Sequence, residues 1–256
     1  MSIKCPIKDA INWYNNIGSF CTYASPIEVY MPDKQIKSKD RVAEHGEVYT
    51  AEREVNAMLD LVKNETERIE SRFLEPACGN GNFLAEILKR KLTGVRRMYG
   101  KSRSEYEKYS VIAITSIYGV DILEDNVQEC IARLFEVWFN EYKAVCKDEV
   151  LSDCEDAVMY ILQHNILCGN ALSMLKVDSE GKDTDEPIIF AQWDLTTGDM
   201  VKRRDYRLDE LMKAKNEQMD MDMLLNGWEY DEEIKSWIPS PIKEYPPTSY
   251  WEVQNA

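Results

Sequence analysis

The stretch Leu74-Glu75-Pro76-Ala77-Cys78-Gly79-Asn80-Gly81-Asn82-Phe83-Leu84 places an acid, a proline and a Gly-x-Gly pair in one short run. Upstream, Arg72-Phe73-Leu74 has the character of the end of a buried strand. Downstream, Phe83, Leu84, Ile87, Leu88 and Leu92 recur at helical spacing, which predicts a helix over Phe83 to Leu92. The turn between them sits at the carboxyl end of a strand, where open α/β sheets hold their ligands. At Gly79 and Gly81 a side chain would keep a ligand off the backbone, and such a turn calls for φ values that other residues resist. A structural strand-to-helix corner has the same look. The neighbours decide.

Upstream stands Gly46-Glu47-Val48-Tyr49-Thr50, and downstream Tyr118-Gly119-Val120-Asp121-Ile122 reads as a second strand ending in an acid. In dinucleotide folds an acid at that place accepts hydrogen bonds from a ribose diol. The simpler role for Asp121 is a cap on the helix predicted over Glu124 to Val145. Together these segments resemble the amino-methyltransferase family of DNA modification enzymes, the adenine-specific type found as modification subunits of restriction systems. There, a Gly-Glu-x-Tyr-Thr-Pro segment and an (Asp/Glu)-Pro-x-Cys-Gly-x-Gly-x-Phe-Leu segment bind S-adenosylmethionine. This chain keeps the second and follows the first as far as Thr50, then carries Ala51 in place of proline. The resemblance runs from about Arg41 to Leu175.

The resemblance implies S-adenosyl-L-methionine as cofactor and an α/β, Rossmann-like methyltransferase fold: a mostly parallel sheet flanked by helices, with a truncated or atypical C-terminal part. It assigns Tyr49 and Thr50 to the methionine end of the cofactor. Glu75, Pro76, Ala77, Cys78, Gly79, Gly81 and Phe83 would line the pocket, Asp121 would hold the ribose, and Ile122 would lie against the adenine face. The family's next motif, a strand followed by Gly-Asp-x-Leu, corresponds to His164 through Leu172, with Asn170 replacing aspartate beside Ala171. An asparagine there still offers an oxygen acceptor and an amide donor.

The family's chemistry lies in an (Asp/Asn/Ser)-Pro-Pro-aromatic loop after the fourth strand, whose acceptors draw on the target amine and whose aromatic ring stacks on the extruded base. Here Pro187 through Trp193 reads as that strand, and Asp194-Leu195-Thr196-Thr197 follows. Asp194 takes the acceptor position and is the catalytic candidate; both prolines and the aromatic residue are missing. Pro246-Pro247-Thr248-Ser249-Tyr250 reads as a proline-rich tail segment. Trp193 is either a stacking platform or, more ordinarily for this setting, core.

The chain of 256 residues, 44% hydrophobic, is long enough to bury a core. The expected organisation is an N-terminal extension over 1–40, the S-adenosylmethionine-binding domain over 41–200, and a C-terminal helix with an irregular tail over 201–256. Helices are predicted over Lys8 to Ile17, Arg53 to Asn64 and Asp205 to Leu225, and a polar loop over Asp178 to Glu186. No apolar run approaches the ~20 residues of a membrane span, and no signal peptide opens the chain, so a cytoplasmic protein is expected. Seven cysteines without a Cys-x-x-Cys pair read as reduced thiols, and no metal site is expected.

A net charge of −15 opposes long-range attraction to DNA, the expected substrate. Basic residues do cluster between Lys89 and Arg103 and at Lys202, Arg203, Arg204 and Arg207. The first cluster reads as a phosphate-facing surface or as a solvated helix end. The leading functional reading is an adenine-specific, S-adenosylmethionine-dependent DNA methyltransferase that acts with a restriction-modification partner protein or a separate recognition subunit. A catalytically silent subunit that binds cofactor or partners follows from the missing Pro-Pro-aromatic loop. A methyltransferase acting on RNA or protein fits the acidity.

Overall fold

The computed structural model describes residues 41, 50–147, 151–213, 228–231 and 236–255. Two short helices, α1 (Glu52–Asp60) and α2 (Lys63–Glu67), lead into a sheet of three parallel strands: β1 (Phe73–Glu75), β2 (Ile117–Asp121) and β3 (Ile166–Cys168). Helix pairs make both parallel connections. Helices α3 (Asn82–Tyr99) and α4 (Arg103–Thr115) join β1 to β2, and α5 (Glu124–Cys146) and α6 (Ser152–Asn165) join β2 to β3. The mixed α/β architecture with a parallel sheet is the expected one. The helix predicted over Lys8 to Ile17 and the Gly46–Tyr49 segment lie outside the described residues.

Burial explains why these residues take these forms. All of β2 is buried, as a parallel strand covered on both faces must be. On α3, Leu84, Leu88, Leu92 and Val95 are fully buried on one helical stripe. Helices α4 and α6 were not predicted. The second half of α4, Ser110 to Thr115, is buried all round, so it carries no one-sided apolar pattern to read.

Beyond β3 the chain departs from expectation. The polar loop predicted over Asp178 to Glu186 is shorter than expected: residues 178–182 form it, as the turn of a hairpin between β4 (Leu175–Val177) and β5 (Asp183–Pro187), which takes the rest. The strand predicted over Pro187 to Trp193 is β6 (Ile189–Leu195), shifted so that Asp194 lies inside it. It does not extend the parallel sheet. Instead β6 pairs antiparallel with β7 (Met200–Arg207) along its whole length. Cross-strand pairing thus sets its place, which a reading by sequence order could not supply. The predicted helix from Asp205 begins only at Leu208, as α7 (Leu208–Lys213), because Asp205, Tyr206 and Arg207 complete β7; residues 214–225 are not described. The short strands β8 (Glu229–Asp231) and β9 (Ser236–Ile238) pair with each other.

Strand β6 crosses one face of the parallel sheet. Ile188, Phe190 and Leu208 pack on Tyr118 and Val120, and the Tyr118 hydroxyl donates to the Ala191 carbonyl at 3.0 Å. Trp193 is core, and its indole N–H donates to Asn165 Oδ1 at 2.9 Å. The proline-rich tail is anchored as well: β10 (Lys243–Glu244) and β11 (Thr248–Ser249) pair with β7. Tyr250 is buried with its hydroxyl 2.8 Å from Glu107 Oε1, and Tyr142 donates to the other oxygen at 2.6 Å. Tyr142 stands eighteen residues along α5 from Glu124, about 27 Å by helical rise. Tyr250 is therefore held at the end of α5 farthest from the motif turn.

Both basic clusters are largely consumed inside the fold. In the first, Arg90 pairs with Glu86 and Asp60, Arg96 with Glu141, and Arg103 with Glu107. Lys91 is fully buried, its ammonium 2.7, 2.9 and 2.6 Å from the carbonyl oxygens of Arg68, Ile69 and Ser71. Burial pulls it down to about 7, and the three carbonyls are the acceptors its charged form requires there. In the second cluster, Lys202 pairs with Glu244, Arg203 with Asp205, Arg204 with Asp194 and Arg207 with Asp209. Replacing Lys91 with methionine keeps the length but strips three carbonyls of their donor. A loss of about 3 kcal/mol in denaturant-monitored stability is expected; a loss below about 0.5 kcal/mol would refute this role.

Candidate functional site

The site forms where β1 and β2 end. After Glu75, the Cys78 N–H donates to the Val120 carbonyl at 2.9 Å, carrying the β1–β2 association into the turn. The Gly81 N–H then closes the turn on the Cys78 carbonyl at 2.8 Å, and Ala85 N–H to Gly81 O begins α3. Gly79 and Gly81 have φ of +51° and +85°, left-handed values that favour glycine. A methyl group on Gly81 would also lie 2.7 Å from Cys130 Sγ. Gly119, inside β2, has the same kind of constraint: a Cβ there would come within 3.0 Å of both Cys78 Sγ and Leu84 Cδ1.

Asp121 binds the turn to the sheet. Its Oδ2 accepts the Gly79 N–H at 2.9 Å, and its Oδ1 accepts the Leu123 N–H at 3.0 Å and Asn126 Nδ2 at 3.2 Å. The helix-cap alternative accounts for only part of this: α5 takes Leu123 as its cap, without a side-chain capping bond. A carboxylate has about four acceptor positions, so three donors leave Oδ2 with one, beside Gly79.

Around this pair, Pro76 and Ala77 are exposed, Glu75 and Phe83 are half-buried, and Cys78 is buried. Burial raises the Glu75 carboxyl above its ordinary value, countered by the Ala77 backbone N–H. The Cys78 thiol is pushed well up by its hydrogen bond with Cys130 and by burial, with Asp121 and Glu75 nearby. Such a thiol packs rather than attacks. Ile122 is half-buried, and its carbonyl accepts the Cys168 thiol at 3.6 Å.

Of the predicted cofactor residues, Glu75 through Gly81, Phe83, Asp121 and Ile122 gather at the carboxyl ends of β1 and β2. Thr50 joins them through its carbonyl, which accepts Asn82 Nδ2 at 3.3 Å. Tyr49 lies outside the described residues. Asn170 and Ala171 follow β3, but the Asn170 side chain already has protein partners, donating to Asp183 Oδ1 of β5 at 2.9 Å and accepting the Leu172 N–H at 3.0 Å.

Asp194 is placed differently from the expectation. It lies within β6 rather than in a loop after it, and its oxygens are held by Arg72 at 2.9 Å, Arg204 at 2.8 Å and Gln192. Arg72 precedes β1, so the contact is at the amino end of that strand, opposite the motif turn. A cavity of about 350 Å³ beside β3 is lined by His164, Leu167, Cys168, Lys176, Ile188, Ile189 and Arg203, none of them in the turn.

Sequence reading passed over Asn126, Cys130 and Arg133. They lie at i, i+4 and i+7 on α5, a helical stripe that faces the turn: Asn126 bonds Asp121, Cys130 fits beneath Gly81, and Arg133 reaches Asn80 and Asn82. Their spacing was the available signal, masked by the stronger apolar stripe of Val127, Ile131 and Leu134. Among the described residues no cluster of three or more His, Cys, Asp or Glu side chains is arranged to hold a metal, and no helix is long and apolar enough to cross a membrane. The five described cysteines are free thiols.

A parallel α/β sheet with a glycine turn tied to an acid on the next strand is the place where open α/β folds hold their ligands. The chain belongs to the family of the MmeI DNA-methyltransferase domain, whose model matches residues 49–189. It is 29% identical over 169 residues to a Methanocaldococcus jannaschii protein named "Putative type II restriction enzyme and methyltransferase RM.MjaORFECS2P". That match covers 63% of this chain and 12% of the relative. No solved structure matches.

The fit beneath Gly81 gives a direct test. Gly198 also has positive φ, +71°, but an added Cβ meets nothing within 4 Å. Gly81→Ala should therefore destabilise by about 2 kcal/mol more than Gly198→Ala, which has only backbone strain to bear. Equal losses by thermal unfolding would show that the Cys130 contact is not limiting.

Proposed function

We propose that this chain is the cofactor-binding part of an S-adenosylmethionine-dependent DNA methyltransferase of restriction-modification type, in a Rossmann-like fold, with an adenine amino group as methyl acceptor. The observation that carries the reading is the remaining acceptor position on Asp121 Oδ2, beside Gly79, which has no side chain to stand in a ligand's way. A ribose hydroxyl fits that position as donor. Glu75, Pro76, Ala77, Cys78, Gly79, Gly81 and Phe83 would line the pocket, with Tyr49 and Thr50 at its methionine end. Ile122 would lie against adenine, with Asn170 and Ala171 at its edge. We assign the cofactor domain to residues 41–200, with 1–40 as an extension and 201–256 as a C-terminal part packed on it.

S-adenosylmethionine supplies a methyl group on a sulfonium, electrophilic enough that orientation is much of the protein's task. Burial raises the Glu75 carboxyl, and a cationic sulfonium beside it would favour the charged form. The neutral Cys78 thiol offers no competing nucleophile. In this reading Asp194 can accept from the target amine only when Arg72 and Arg204 release it. That ion-pair cluster favours a second reading, in which this chain binds cofactor while a partner protein or another segment supplies the amine acceptor and reads the DNA.

Calorimetry with S-adenosylmethionine tests the shared premise. Binding is expected, with Asp121→Ala weakening it at least about tenfold; no binding by the intact chain would overturn the proposal. Labelled methyl transfer to mixed genomic DNA then separates the readings. Loss of transfer in Asp194→Asn with cofactor affinity intact supports Asp194 as acceptor. Transfer that persists in this variant, or that requires an added partner chain, supports the second.

A further inference from the structure

Arg133 reaches from α5 to the motif turn. Its guanidinium donates to Asn80 Oδ1 at 3.4 Å and to Asn82 Oδ1, two amides on either side of Gly81. Asn82 passes the contact on, because its Nδ2 donates to the Thr50 carbonyl at 3.3 Å. An amide is suited to such a relay: its oxygen receives one group while its nitrogen directs another. Arg133, the motif turn and the chain before α1 are thus joined in one line.

The far end of the line needs the restraint. Ala51 caps α1 with φ −64° and ψ 147°, without a side-chain capping bond. That φ is the one a proline ring would fix covalently. Alanine leaves it free in principle, so contacts must select it. The carbonyl immediately before Ala51 is the one that Asn82 holds.

We propose that Arg133 is a positioning residue: through Asn82 it fixes Thr50 and the entry to α1 against the motif turn. It thereby sets the half of the pocket that receives the amino-acid arm of the cofactor. The inference rests on the cofactor reading above. Arg133 touches no ligand in this role; it orients the amide that orients the chain.

The test uses two ligands of the full chain, S-adenosylmethionine and 5′-methylthioadenosine, which keeps the base, ribose and sulfur but lacks the amino-acid arm. Arg133→Met should weaken S-adenosylmethionine about tenfold, the scale of one lost positioning contact, and leave methylthioadenosine within about twofold. Adding Ala51→Pro to Arg133→Met should recover most of the loss, because the ring restores the selected φ without the relay. Asn82→Asp is the second variant. It keeps an oxygen for Arg133, places an acid at the start of α3 where it suits the helix dipole, and removes the donor to Thr50. It should show the same ligand discrimination with an undiminished melting temperature, and the same recovery with Ala51→Pro.

Equal weakening of both ligands, no weakening of either, or no recovery on adding proline would overturn the relay while leaving the cofactor reading standing. An intact chain that binds neither ligand would overturn the cofactor reading, and the relay with it.

Discussion

The bond from the Gly79 N–H to Asp121 Oδ2 joins the ends of two parallel strands, and the geometry of the site depends on it. A carboxylate only 9% exposed is costly unless its oxygens are met. Here three N–H groups meet them, from the turn, from the start of α5 and from Asn126 on α5. The one acid therefore organises three pieces of chain. Glycine at 119 lets Cys78 and Leu84 approach β2, and glycine at 81 makes room for Cys130, so the turn lies close enough for that bond to form.

The acidic character of the chain looks different once charges are placed. Each residue of the Lys202–Arg207 basic group meets an acid, and most of the cations between Lys89 and Arg103 meet acids or backbone carbonyls. Most of these pairs are partly exposed, where each contributes little by itself. Their significance is geometric. Arg72 and Arg204 hold Asp194 at the amino end of β1, and Lys202 with Glu244 fastens β10 to β7. The cations between Lys89 and Arg103 that seemed available for a phosphate backbone are instead turned inward, Arg90 to Asp60 and Lys91 to the carbonyls that precede β1.

How much was legible depended on whether the cause was local. The strand, glycine turn and helix around Glu75 to Leu92 follow from neighbouring residues, and they were read correctly, as was the strand ending at Asp121. Helix α4 was hidden because its second half, buried all round, has no polar face to give it a period. Strand β5 was hidden because Asp183 to Glu186 is polar enough to pass for part of the loop that Asp178 to Lys182 does form, and only pairing with β4 makes it strand. For Trp193 the sequence favours core over a base platform, and burial with a bond to Asn165, twenty-eight residues away, makes it core.

By itself the sequence determined the family and the motif turn, because glycine, proline and apolar spacing act on the chain within a few residues of where they stand. Tertiary structure alone decided where the remaining chemistry lies. It placed Asp194 among arginines at the amino end of β1, tied Asn170 to Asp183 of β5, and brought Arg133 to the turn from a helix fifty residues downstream. The reason is the range of the forces involved. Backbone preference is set locally, whereas which donor reaches which acceptor is settled only when strands pair and helices pack.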